Sequence, residues 1–193
     1  MLPIAAHAAD GLTQAEREFA ISNLQSTQKL FLDSVAGVTE AQWTYKSAPD
    51  RWSIAECAEH IAVMEDVVTG LVKKNLAAPA TPDKRIPADK LHAKDERIIA
   101  MVSDRSHKVQ APEPVQPAHR FKTLQDAVDH FRAVRSANIQ YVETTDADLR
   151  DHFAPHPFLG PLDLYQWFLF VSAHSERHTK QLLEVKADAG FPR

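Results

Sequence analysis

Residues 164–185 read LYQWFLFVSAHSERHTKQLLEV, and the spacing inside this stretch decides the fold. Leu164, Trp167, Phe168, Val171, His174, His178, Leu182 and Val185 recur at intervals of three and four. At 3.6 residues per turn they form one stripe of an α-helix, the stripe that faces a core. Two histidines one turn apart interrupt it. A buried imidazole denied a hydrogen bond costs about 2–7 kcal/mol, so the pair needs a partner. Neutral imidazoles at i and i+4 aim their nitrogens at a common spot, which suits a divalent metal. The alternative is two partly buried histidines bonded to carbonyls or carboxylates.

Helical periodicity continues outward from this segment. Asp163 with Gln166 caps its start, and Gly190 and Pro192 lie beyond its end. Thr13 and Glu16 form a capping box ahead of Phe19, Ala20, Leu24, Thr27, Leu30, Phe31 and Val35, with Gly37 closing that helix. A short helical turn is expected around Thr39–Trp43. Ser53 and Glu56 make a second capping box and open a helix to about Leu76, whose buried side is marked by Ile54, Ala58, Ile61, Met64, Val68 and Leu71. Thr123 opens the third long helix, on Leu124, Ala127, Val128, Phe131, Val134 and Ile139, which fades at Thr144-Thr145-Asp146. Residues 77–121 hold six of the twelve prolines and one charged helical stretch, Asp89–Val102. They are too poor in apolar residues for a core of their own. Four long amphipathic helices without an alternating strand pattern predict an all-α fold: an up-and-down-type four-helix bundle with a long proline-rich crossover carrying an extra helix.

Two ligands on one helix do not close a metal site. The third candidate is His60, which borders the buried stripe of the second long helix and can reach inward from its flank. Three histidines with positions left open make the catalytic kind of site, since structural zinc sites usually have four protein ligands. All-nitrogen ligation favours zinc, nickel, iron or copper over magnesium or calcium. Glu56, one turn before His60, and Glu59 are the candidate general bases or outer carboxylates. Glu56 has a competing role at the helix cap, and Glu59 reads as a solvated-face residue. Cys57 reads as a small core residue. His152 and His156 lie in a loop that can rim the site. Trp43, Trp52 and Trp167 read as core or wedge residues, and Arg51, Arg177 and Lys180 as surface charges. The segment Asp89–Arg105 reads most simply as a solvated helix.

Composition narrows the function classes. A net charge of −4 with ten histidines counted neutral gives no electrostatic footprint for nucleic acid. The single cysteine excludes an internal disulfide, and none of the five glycines forms a phosphate-cradling pattern. No run approaches the roughly 18 apolar residues of a membrane span. Residues 1–12 read as a disordered tail or, from Ala6 and Ala8 at A-x-A spacing, as the remnant of an export signal. The first reading implies a cytoplasmic protein and the second a periplasmic one. The bundle domain is expected over residues 13–193.

Two motifs, in this order and separation, resemble the DinB-like superfamily. The first is Trp43…Pro49-Asp50-Arg51-Trp52-Ser53-Ile54-Ala55-Glu56…His60-Ile61. The second is His156-Pro157-Phe158-Leu159-Gly160…Gln166-Trp167…His174…His178…Gln181. The resemblance covers both ends of the chain and leaves the proline-rich crossover least comparable. It implies a bundle whose core holds one divalent transition metal ion, zinc or nickel foremost, on His60, His174 and His178. Some relatives are S-transferases or isomerases using bacillithiol or mycothiol, which implies a small-molecule substrate and a low-molecular-weight thiol as one cosubstrate. A three-imidazole metal site lowers the pKa of bound water or thiol, so hydrolysis and thiolate attack are both expected chemistries. The alternative is a non-catalytic metal-binding or stress-response module. A homodimer is expected through the exposed flank of a long helix.

Overall fold

The computed structural model describes residues 11–193. The stretch expected to be a tail or an export remnant therefore lies outside the described residues, except for Gly11 and Leu12. Six α-helices follow in order: α1 Gln14–Val35, α2 Glu40–Trp43, α3 Ile54–Leu76, α4 Ala88–Ser103, α5 Leu124–Thr144 and α6 Leu164–Lys186. Five of the six start with a reciprocal capping box, from Thr13, Thr39, Ser53, Thr123 and Asp163. Each box satisfies two amide donors that the helix itself leaves unpaired, and losing such a cap typically costs about 1 kcal/mol. The exception is α4, which begins after Pro87 with no side-chain cap.

The four long helices form the bundle, but not in up-and-down order. Helix α6 packs between α1 and α3, and α5 packs between the same two on the other side. Tyr165, Ser172 and Lys186 of α6 hydrogen-bond to Glu16, Thr27 and Ser34 of α1 respectively, so α1 and α6 run parallel. Glu65 meets Arg135 and Thr69 meets Asn138, so α3 and α5 run parallel too. Parallel neighbours explain the long crossover. After α3, the chain must travel back along about 34 Å of helix before α5 can start beside it.

That return path is anchored more firmly than its charge suggests. Helix α4 lays Leu91, Asp95, Ile98 and Val102 against α6, so the expected solvated helix has a buried face. With α1 and α3 on one side and α4 on the other, every residue of α6 from Leu164 to Ser175 is buried. Asp95 is the anchor. It receives Arg150 at 2.7 Å and Gln166 at 2.9 Å. Arg150, only 2 % exposed, also meets Asp163 at 2.9 Å and Glu16 at 2.8 Å, and its guanidinium lies 4.0 Å over the Tyr165 ring.

Strands occur where none was expected. Phe153–His156 (β1) pairs antiparallel with Gly160–Asp163 (β2), bringing Pro155 opposite Pro161. Gly160 has φ +72°, a left-handed conformation that glycine adopts without a steric penalty. Both strands are edges of a two-stranded ribbon, the setting that tolerates proline. The ribbon delivers Asp163 to the α6 cap.

A polar layer divides the bundle core. One apolar cluster includes Leu24, Met64, Val68, Val142 and Val171; the other includes Phe31, Ile61, Phe131 and Leu182. Between them Arg135, fully buried, pairs with fully buried Glu65. Its guanidinium also reaches the Leu24 carbonyl and Thr27 of α1 and Ser175 of α6, each at 2.8 Å. Asn138 donates to Glu65 at 3.0 Å.

Candidate metal centre

The antiparallel packing of α3 against α6 brings His60 level with the pair on α6. One ring nitrogen from each of His60, His174 and His178 lies within 4.8 Å of the others. His60 is 3 %, His174 8 % and His178 9 % exposed, so the imidazoles meet inside the bundle. His60, expected at the edge of its stripe, sits well inside.

The hydrogen bonds fix the ring tautomers. His60 places Nδ1 2.7 Å from the Val115 carbonyl. A carbonyl only accepts, so Nδ1 carries the proton and the Nε2 lone pair faces the cluster. His178 Nδ1 lies 2.9 Å from Gln181 Oε1, which also accepts from Arg105 at 3.2 Å. That arrangement again leaves Nε2 bare. His60 Nε2 and His174 Nε2 are 3.0 Å apart. His174 Nδ1 is buried without any hydrogen-bond partner among the described residues.

Electrostatics keep the three rings neutral. Burial lowers the His60 pKa against the opposing pull of the Val115 carbonyl. Burial, and then the neighbouring imidazoles, put His174 well below the ordinary histidine value. His178 falls well below it for the same reasons, burial first and His60 second. Neutral imidazole is the form that ligates metals. Trp52 covers one side, with its ring centroid 5.0 Å from His60 and 5.7 Å from His178, and Phe170 lies 5.5 Å from His174.

Neither candidate carboxylate faces the cluster. Glu56 is spent on the α3 cap, accepting from the Ser53 amide at 2.7 Å, and on Lys46 at 2.9 Å. Glu59 is not solvated: it is 4 % exposed and accepts from the amides of Ala118 and Arg120 and from the Arg120 guanidinium. Cys57 is a buried core residue whose thiol pKa is pushed up by burial. His152 turns away, with its nitrogens toward the carbonyls of Asp148 and Ala78. His156 stays outside the cluster, caught in the hairpin turn where Nδ1 accepts from the Phe158 and Leu159 amides. Trp43 and Trp167 are core residues. Lys180 pairs with Glu176 on the surface, whereas Arg177 reaches across to the carbonyls of Asp104 and His107 and holds the end of α4. Val115 went unnoticed in the sequence because a backbone carbonyl leaves no residue signature. Gln181, three residues after His178, stood in the motif without a role.

Comparison with known proteins places this geometry in a family. YuaE of Bacillus subtilis, an uncharacterized protein, is 23% identical over 154 residues, covering 80% of this chain and 89% of YuaE. Among solved structures, YfiT from Bacillus subtilis superposes with a TM-score of 0.62 at 12% identity, covering 100% of this chain and 95% of YfiT. That protein is described as "a probable metal-dependent hydrolase with an unusual four-helix bundle topology". The shared feature is the fold. The family model of the DinB superfamily matches residues 23–182, from within α1 through most of α6, and on that match the chain belongs to the DinB superfamily.

Proposed function

We propose that this protein is a metal-dependent hydrolase of small molecules, with one divalent transition ion held by His60, His174 and His178. The observation that carries the reading is the convergence of three buried neutral imidazoles, two with their outer nitrogens already engaged. The donor set fits an ion. A separation of 3.0 Å between His60 Nε2 and His174 Nε2 suits two nitrogens that share one ion at about 2.0–2.1 Å each. Zinc and nickel both suit all-nitrogen ligation. Bound there, the ion supplies Lewis acidity and lowers the pKa of a water or thiol toward neutrality.

The chain's own residues supply binding, orientation and shelter. The Val115 carbonyl and Gln181 Oε1 hold two rings in the tautomer that presents Nε2, as outer partners of ligating histidines usually do. Trp52 and Phe170 wall the cluster with aromatic surface, which limits the access of water. No carboxylate belongs to the cluster among the described residues, so this reading assigns no side-chain general base. The YfiT description supports hydrolysis over transfer to a thiol.

Elemental analysis of untagged protein tests the site. Wild type and His130→Ala should carry about one ion per chain, because His130 pairs with Asp66 on the surface. His178→Ala should lose it. Equal metal content in wild type and His178→Ala would end the reading. A panel of esters, amides and epoxides, with and without low-molecular-weight thiols, then separates the chemistries. Turnover without thiol supports a hydrolase, and strictly thiol-dependent turnover replaces it with an S-transferase. Metal without turnover on any substrate favours a binding module.

A further inference from the structure

The crossover between α4 and α5 does more than return the chain. Residues 111–120 fold back on the α3 turn that carries Glu59 and His60, and both side chains grip them. The Arg120 guanidinium donates to the carbonyls of Pro114 (3.2 Å) and Gln116 (2.9 Å). The carbonyl between those two, that of Val115, accepts from His60 Nδ1 at 2.7 Å. Glu59 in turn holds Arg120 through its guanidinium at 2.7 Å and its amide at 3.2 Å, and takes the Ala118 amide at 2.7 Å. Three successive carbonyls are thus set by two adjacent residues of one helix, directly by His60 and through Arg120 by Glu59.

We infer that Glu59 is a positioning residue of the metal centre, acting through Arg120 and the 114–116 carbonyls to fix the tautomer and ring orientation of His60. The inference rests on the reading of His60, His174 and His178 as metal ligands. Chemistry supports the role over that of a base. A carboxylate accepting three charge-assisted or amide hydrogen bonds has little free capacity for a substrate proton. It is also an economical way to hold an imidazole from outside: a backbone carbonyl at the second nitrogen both selects the tautomer and raises the basicity of the first. The arrangement couples the crossover to the site, because a shift of Val115 would free His60 to rotate or to exchange its proton between nitrogens.

Full-length protein carrying ¹⁵N-labelled histidine decides the matter. In metal-free wild type, His60 should show one tautomer, protonated at Nδ1. Glu59→Ala should replace it with an averaged signal while leaving His178, held by Gln181, unchanged. Arg120→Met, at a side chain 37% exposed and outside the helix core, should do the same if Glu59→Ala folds poorly. Cobalt(II) titrated against a chelator should bind both variants about 10- to 100-fold more weakly than wild type. Glu59→Gln, which keeps one acceptor oxygen, should fall between. An unchanged His60 tautomer in Glu59→Ala and Arg120→Met overturns the inference, as does unchanged cobalt affinity in both. If wild type itself binds no cobalt, the metal reading fails, and the tautomer measurement still decides whether Glu59 positions His60.

Discussion

Replacing Arg150 with Met would remove the one cation that three carboxylates share. Asp95 and Asp163 have side chains only 3% exposed, so the variant leaves two carboxylates in the protein interior without their partner. Removing one member of a buried ion pair costs about 3–5 kcal/mol, and here two acidic partners are stranded. For a domain of this size each kcal/mol lowers Tm by about 2–4 °C, so a fall of roughly 6–20 °C is expected. The sign of the pH dependence is a sharper test. Burial raises the Asp163 pKa to about 6 even with Arg150 pulling it down. Without the arginine that value rises further. A carboxyl whose folded pKa exceeds its unfolded value stabilises below the unfolded pKa, and that contribution is lost as pH rises through the folded pKa. Arg150→Met should therefore lie nearest to wild type at about pH 4–5 and furthest from it above pH 7. Urea titrations at both ends of that range measure it, and Asp95→Asn in the same background should recover part of the loss. A difference below about 1 kcal/mol, or one that does not change with pH, would refute the reasoning.

Other expectations follow from the buried groups. The buried imidazoles should make metal-free protein less stable as pH falls below about 6.5, because His60, His174 and His178 take up a proton more readily in the unfolded chain than in the fold; in an Asp163→Asn background, which removes the opposing contribution of that carboxyl, a flat stability profile between pH 7 and 5 would contradict this. Cys57 is fully buried and its thiol pKa is raised, so a disulfide reagent should modify it only when the protein unfolds. Labelling faster than global unfolding would show that the α3 core opens. Phe131, 0 % exposed and edge-on to Phe31 at 4.7 Å, should cost about 3–5 kcal/mol on replacement by Ala, read from denaturant midpoints. A loss under 1 kcal/mol would mean the cluster can collapse around the hole.

The helices and their caps were legible because they depend on residues three or four apart. Thr13 with Glu16, Ser53 with Glu56 and Asp163 with Gln166 announce their starts, and all three boxes form. The convergence of His60 with the α6 pair was legible for the same reason, once two buried stripes had to face each other. What escaped was set by distant partners. Glu59 looks solvated until Arg120, 61 residues later, covers it. Arg135 sits where the α5 stripe should carry an aliphatic residue, and nothing local shows that Glu65, 70 residues away, neutralises it. The ribbon was hidden by Pro155, Pro157 and Pro161, which argue against strands, and by a length of four residues, too short for an alternation to register. Helix direction was misjudged because periodicity says which face is buried and not which way the neighbour runs.

The Arg135 guanidinium touches three helices besides its own, and this sets the height at which the metal centre exists. Sliding α6 by one turn along α3 would move Ser175 about 5.4 Å, out of reach of Arg135 and Glu65, and leave buried polar groups short of a partner. The same slide would carry His174, the residue before Ser175, away from His60, five residues before Glu65. Apolar layers alone would tolerate such slippage, since one ring of aliphatic side chains packs much like the next. A single cation with directional partners makes the alignment discrete. The ligand spacing across two helices is thus inherited from an ion pair that never touches the ligands, and the bundle has one vertical setting in which its three imidazoles can meet.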